Sequence, residues 1–456
     1  MKNDGWGMIT AKTLTFAMGI LCVVWMTGCV SKGPSHSQAM ILPPAAPLAA
    51  DTNATEGAIR FLENRVKLNS EDHIAYNKLA AYYLQRMRET GSITYLYLAA
   101  KSANASLAVL GPRDNTDGLA QRAQVEYASH DFAAAKEDGT QLTQLDPGKG
   151  YPFFVIGDSL QELGDYDGAK AAYSRMKAID IGSGGMPEVA MNQRLARQAE
   201  LHGDIEQATR LLKMALTDAL AIPFPPRETV AWCRWRLGDI AFSAGDYETA
   251  ERDYRDALTT FPDYFRALAG LGKVRAARGD IQEGIKFYEQ AVNIVPDPNF
   301  VASLGDLYKV SGRDKEAQAQ YSLVEQIGHL SALSGILYNR QLALFYADHD
   351  IKGEDGYQNA AREYAERKDV FGADALAWTA LKSGRLAEAQ QMIKEALKLG
   401  TRDARMFYHA GMIALAAGDK RSAAEYLDKA LKLNPEFDPL QSPIARKSLS
   451  ELEGAQ

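Results

Sequence analysis

Apolar residues beyond position 54 recur at i, i+3, i+4 and i+7, the spacing that lines one side of an α-helix. The pattern is clearest around Gly245-Asp246, where Leu237 and Ala241 precede the break and Ala250, Tyr254 and Ala257 follow it. Two such stripes predict a pair of amphipathic helices joined by a tight turn. The glycine is free to take a positive φ at the end of the first helix, and the aspartate offers an acceptor to the first-turn N–H groups of the second. The same punctuation recurs at Gly164-Asp165, Gly203-Asp204, Gly279-Asp280 and Gly418-Asp419. Every periodic stretch has the 3.6-residue repeat, so an all-α fold with almost no sheet is expected.

A longer period lies over the helical one. A small residue is followed twelve positions later by a second, seven later by a third, and often five later by a proline, as in Gly238, Ala250, Ala257 and Pro262. The next unit repeats the series 34 residues on with Gly272, Gly284, Ala291 and Pro296, and it returns as Gly411, Ala423, Ala430 and Pro435. Small residues at these places let paired helices approach closely, while Tyr173, Tyr254, Tyr288, Tyr321 and Leu427 fill the gap beside them. The prolines end the second helix. One hairpin buries too little to stand alone, so the units must stack.

The 34-residue unit resembles the tetratricopeptide repeat. The resemblance implies a right-handed α-solenoid of stacked helix-turn-helix units, the first helix of each lining a concave face that recognises other proteins. The expected plan is a signal segment at 1–28, a disordered tether at 29–53, and a cap helix with a degenerate unit at 54–115. The main array follows at 116–331, a second degenerate unit at 332–369, two further units at 370–437, and a cap helix and tail at 438–456. In the second degenerate unit the insertion DHDIKGEDG, residues 348–356, displaces the second helix.

The N-terminus reads as an address. Lys2 and Lys12 precede the apolar run LTFAMGILCVVWM, residues 14–26, which ends at Thr27-Gly28-Cys29. Met26-Thr27-Gly28-Cys29 resembles the bacterial lipobox, although Met26 stands where leucine is usual. The resemblance implies that Cys29 carries a lipid and becomes the new N-terminus, and Val30 after it implies the outer membrane, facing the periplasm. The competing reading is an uncleaved anchor, because residues 13–30 are uncharged and just long enough to span a bilayer. Residues 30–53 carry Pro34, Pro43, Pro44 and Pro47 without helical or strand period, which predicts an extended leash.

Composition narrows the chemistry. The formal charge of −7 over 456 residues offers no basic field for nucleic acid, and removing residues 1–28 takes away two bases and one acid to leave −8. Of the cysteines, only Cys233 belongs to the folded part, where burial on a helix is expected of it. The seven histidines are scattered with no spacing that pairs two on a helix face, so no metal site is expected. No phosphate-binding glycine loop appears, and residues 182–185 read as a linker. With no convergent catalytic set, neither enzyme activity nor a cofactor is expected.

What remains is surface. Tyr127, Tyr151, Phe154, Trp232, Trp235, Phe242, Phe371, Trp378 and Tyr408 fall at first-helix positions that the resemblance turns to the concave face, where rigid rings serve as anchors for a partner. Trp232, which follows the loop AIPFPPRETVA, has an alternative place between neighbouring repeats. Arg266, Lys273 and Asn299 approach the carboxylate-binding set known in such repeats, but Ala269 and Ala302 stand between them. The sequence therefore reads as a lipid-anchored adaptor for other proteins of the cell envelope. The alternative is a module that takes glycan or an apolar ligand in the aromatic groove.

Overall fold

Each apolar stripe becomes a helix in the computed structural model of the protein, which describes residues 42–48, 52–180, 186–333 and 339–454. Residues 1–41 with Cys29, and the glycine-rich 182–185, lie outside the described set. The first eleven helices are α1 (Thr52–Leu68), α2 (His73–Thr90), α3 (Ile93–Val109), α4 (Thr116–Ala128), α5 (Phe132–Leu145), α6 (Tyr151–Glu162), α7 (Tyr166–Asp180), α8 (Met186–Leu201), α9 (Ile205–Ala221), α10 (Arg227–Ser243) and α11 (Tyr247–Thr260). The chain continues with α12 (Phe265–Ala277), α13 (Ile281–Ile294), α14 (Pro298–Val310), α15 (Asp314–Leu333), α16 (Asn339–Asp348) and α17 (Gly353–Glu366). It ends with α18 (Val370–Lys382), α19 (Leu386–Ala396), α20 (Ala404–Ala416), α21 (Lys420–Leu433) and α22 (Gln441–Gly454). The described residues form an all-α repeat array in which each even-numbered helix from α2 to α20 pairs with the next.

The turns form as the Gly-Asp punctuation requires. Gly164, Gly203, Gly245, Gly279 and Gly418 all take φ between 74° and 83°. Behind them Asp204, Asp246, Asp280 and Asp419 accept from the N–H groups of Gln207, Thr249, Glu283 and Ser422. Of DHDIKGEDG, Asp348 ends α16 and residues 353–356 open α17, so only residues 349–352 form the connection, with Asp350 and Lys352 at φ 53° and 45°, and α17 is not displaced but pairs with α16.

The second period sets how tightly the helices pack. Tyr254 is fully buried, and its ring lies between Gly238 of α10 and Gly270 of α12. A Cβ on Gly238 would stand 2.7 Å from the ring, and one on Gly270 2.6 Å. The Tyr254 hydroxyl donates to Asp239 at 2.7 Å, so the ring has nowhere to retreat. Gly270→Ala is expected to lose about 1–3 kcal/mol by overpacking. Chemical unfolding of the variant checks this, and an unchanged midpoint would contradict so close a fit.

Corners of the array also meet segments far along the chain. The Glu162 carboxylate, at the end of α6, pairs with Arg367, and the Tyr166 hydroxyl accepts from the Val370 N–H at 2.8 Å. Thr401 donates to the Leu201 carbonyl at 2.6 Å across 200 residues of sequence. Asn434 donates to the Phe242 carbonyl at 2.8 Å and accepts from the Tyr247 hydroxyl at 2.5 Å. In each case the corner after a first helix rests on a loop roughly 200 residues later. The array has come round on itself, and its inner face is shared between two stretches of chain.

Candidate functional site

That closure divides the nine candidate rings. Tyr127, Tyr151, Phe154 and Trp232, from α4, α6 and α10, converge on one largely apolar cavity of about 700 Å³. Met87, Met176 and Met186 complete its walls and add flexible, polarizable surface that moulds to different shapes. Tyr151 is fixed by its hydroxyl, which donates to the Ala120 carbonyl at 2.8 Å, and it meets Phe154 edge to face at 4.6 Å. The Arg194 guanidinium lies 4.1 Å from the centre of the Phe154 ring. Its Nη2 donates to Asp158 at 2.6 Å, and Asp158 also accepts from the Tyr173 hydroxyl at 2.7 Å. Asp158 and Arg194 thus form a neutralised polar patch in an apolar wall. Glu228 stands in the same wall, where burial pushes its carboxyl above the usual range and Arg88 pulls it back.

Trp235 and Phe242 line a second, more polar cavity of about 470 Å³. It gathers Arg266, Lys273 and Asn299, the incomplete approach to a carboxylate-binding set in the sequence, and Arg405 and the carboxylates Asp239, Asp297 and Asp403 join them from both stretches of chain. Burial pushes Asp297 and Asp403 upward. The Arg266 guanidinium sits 5.3 Å from the Trp235 ring centre and that of Arg236 5.4 Å. Phe371 meets the Arg197 guanidinium, 5.0 Å from its ring centre, across the closed interior.

Three rings are almost fully buried, Phe242 among them although it edges the second cavity. Trp378 is 1% exposed, Tyr408 2% and Phe242 5%. The Trp378 indole donates to Asp348 of α16 at 2.8 Å and stacks on His409 of α20 at 4.4 Å. Ala373, Ala377 and Ala380 leave α18 slim enough for neighbouring first helices to close over the ring. Trp232 occupies both expected settings, since it lines the first cavity and packs on the cores either side of α10. Cys233 is fully buried, with its thiol pushed up to about 12 by burial. Among the described residues no cluster of His, Cys, Asp or Glu could hold a metal.

Glu200 ties the inner face together. Its carboxylate accepts from Arg236 at 2.6 Å and Arg197 at 3.0 Å. Burial raises its pKa, but the two guanidiniums outweigh burial and hold it at about 2. In the unfolded chain a glutamate titrates near 4.3, so the folded value is depressed. The stabilisation is present above the unfolded value and lost as pH falls toward about 2. The stability difference between the wild type and Glu200→Gln is therefore expected to shrink from pH 6 to pH 2 in urea titrations. A difference constant with pH would refute the assignment.

An all-helical array of paired, stacked units defines the class: an α-helical repeat protein of the kind that serves as a protein-binding scaffold. Within it, residues 236–299 and 375–436 match the tetratricopeptide repeat family. No curated protein sequence matches the chain. Among solved structures, yeast Tom70 is similar at 13% identity and a TM-score of 0.37, covering 88% of this chain and 93% of its own. A tetratricopeptide repeat protein from Parabacteroides merdae is similar at 17% identity and a TM-score of 0.32, covering 58% and 99%. MamA is similar at 23% identity and a TM-score of 0.30, covering 39% and 96%.

Proposed function

We propose that the chain is a scaffold held by a lipid on Cys29 at a bacterial membrane, facing the periplasm, where it binds other proteins of a cell-envelope complex. The observation that carries the binding part is the convergence of four aromatic rings and three methionines on one cavity of about 700 Å³. Such a surface takes the apolar side chains of a partner segment, with Asp158, Arg194 and Glu228 supplying polar contacts at its wall. The lipid part rests on the run 14–26 ending at Thr27-Gly28-Cys29. Labelled palmitate is expected to enter the wild type and not Cys29→Ala. Equal labelling, or a mature mass that retains residues 1–28, would point to a membrane-spanning anchor instead.

A photo-crosslinking residue at Met186, a half-exposed wall of the cavity, is expected to give one discrete protein adduct in intact cells, weakened in Trp232→Ala. The cavity's size, within the range of small-molecule sites, favours the second reading of a glycan or apolar ligand. Calorimetric binding of glycan oligomers without any protein adduct would select it.

A further inference from the structure

Residues 42–48, LPPAAPL, belong to the segment whose composition predicts a free leash, yet they lie against the array. Leu42, Ala45 and Leu48 are partly buried while Pro43, Pro44, Ala46 and Pro47 are exposed. A burial period of three is that of a polyproline II helix, which the prolines favour and which carries one side chain in three on each face. The buried face of this strand packs Leu42 and Leu48 on the core formed by α8, α9 and α10.

Two polar contacts fix the strand's position. Arg234 of α10 is only 3% exposed and uses one nitrogen on Asp256 of α11 at 3.1 Å. Another donates to the Pro43 carbonyl at 3.4 Å. Polyproline II backbone makes no internal hydrogen bonds, so its carbonyls are free to accept. At the other end the Leu48 N–H donates at 3.4 Å to the carbonyl of Thr260, the last residue of α11. That carbonyl is one of the last-turn acceptors that a helix leaves unpaired.

We propose that the side of α10 beside α9 and α11 is a built seat for residues 42–48, and that this strap limits how far the body can stand from the membrane. The stand-off rests on the reading of Cys29 as the lipid site. With the strap seated, only residues 30–41 separate the lipidated cysteine from the body, which at about 3.1 Å per residue is a reach of about 40 Å. With the strap released, residues 30–51 span about 70 Å. Seating thus nearly halves the greatest stand-off that the leash allows.

Nitroxide labels at Ala46→Cys and Thr259→Cys, both exposed positions, in a full chain that also carries Cys22→Ser and Cys29→Ser test the seat, since buried Cys233 stays unlabelled. Pulsed electron spin resonance is expected to give a single narrow distance, replaced by a broad distribution in a Leu42→Ser, Leu48→Ser variant. A broad distribution in the chain with its native leucines overturns the seat. With the chain that keeps Cys29 on vesicles, energy transfer from a dye at Thr259→Cys to headgroup acceptors is expected to fall at least twofold in the leucine variant. Equal transfer overturns the stand-off. A narrow distance, together with a chain that keeps Cys29 yet is not retained by vesicles and takes up no palmitate, refutes the Cys29 reading and the stand-off together while the seat stands.

Discussion

Trp378→Ala destabilises the C-terminal part of the array by about 3–5 kcal/mol, the range for deleting a large buried ring. The ring stacks on His409 and donates to Asp348, so its removal leaves a cavity between α16, α18 and α20 and takes one of the donors from Asp348, which Gln441 and Arg405 still hold. Trp378→Phe retains most of the volume and is expected to recover more than half of the loss, the remainder belonging to the indole N–H. Trp235→Ala serves as the contrast. That ring is partly buried at the edge of a polar cavity, and its truncation costs well under the Trp378 value, roughly 1 kcal/mol or less. Thermal and urea unfolding of the three variants decides the matter. If Trp378→Ala melts with the wild type, the ring is no part of the core.

Arg367→Ala is expected to cost about 3 kcal/mol and to loosen the closure. Arg367 pairs with Glu162 from α6 and with Asp369 at 2.8 Å. Arg340 binds Asp369 at 2.9 Å and Glu363 at 2.7 Å in the same group. Three carboxylates share two guanidiniums in a mostly buried place, so removing one guanidinium leaves negative charge uncompensated where water is scarce. Arg367 is itself partly exposed, which holds the expected cost to the lower end for such pairs. Because Glu162 lies across the closure, small-angle scattering is expected to show a larger radius for the variant. Loss of stability without expansion would mean that the other corner contacts suffice to hold the array closed.

Local rules made most of the fold legible. The Gly-Asp turns, the capping aspartates and the pairing of small residues with Tyr173, Tyr254, Tyr288, Tyr321 and Leu427 all act within one unit or between neighbours. The first and last helices, Thr52–Leu68 and Gln441–Gly454, lie at the two ends of the array. The binding face was legible only in part, because exposure of a first-helix ring depends on what lies across the interior. Phe242 is covered where Asn434 reaches its carbonyl, and no period in the sequence announces a contact across 192 residues.

Trp378 did carry a warning. It sits in FGADALAWTAL, apolar on all sides, and a helix of that kind is buried all round. The acid Asp158, which holds Arg194 beside the cavity, was also readable. In Gly157-Asp158, Gly238-Asp239 and Gly305-Asp306 the aspartate accepts from a tyrosine hydroxyl fifteen residues on. Arg194, 36 residues from its partner, had no such marker.

Coming round on itself gives this chain a folding history that an open array would not have. A linear stack can grow from one end, each unit completed by the next. Here the Leu201 carbonyl waits for Thr401, and Glu162 for Arg367. Until those later residues have emerged and docked, neither corner can close. During that interval Trp235 and Phe242 of α10 stand open, without Arg405, Asn434 and Phe437, which later share their cavity. Contacts of such long sequence separation also slow the final step, since loop closure must precede any gain from pairing. The newly made N-terminal half is therefore the stage of its life at which this protein most needs an escort, and early truncations near residue 331 should aggregate where the full chain does not.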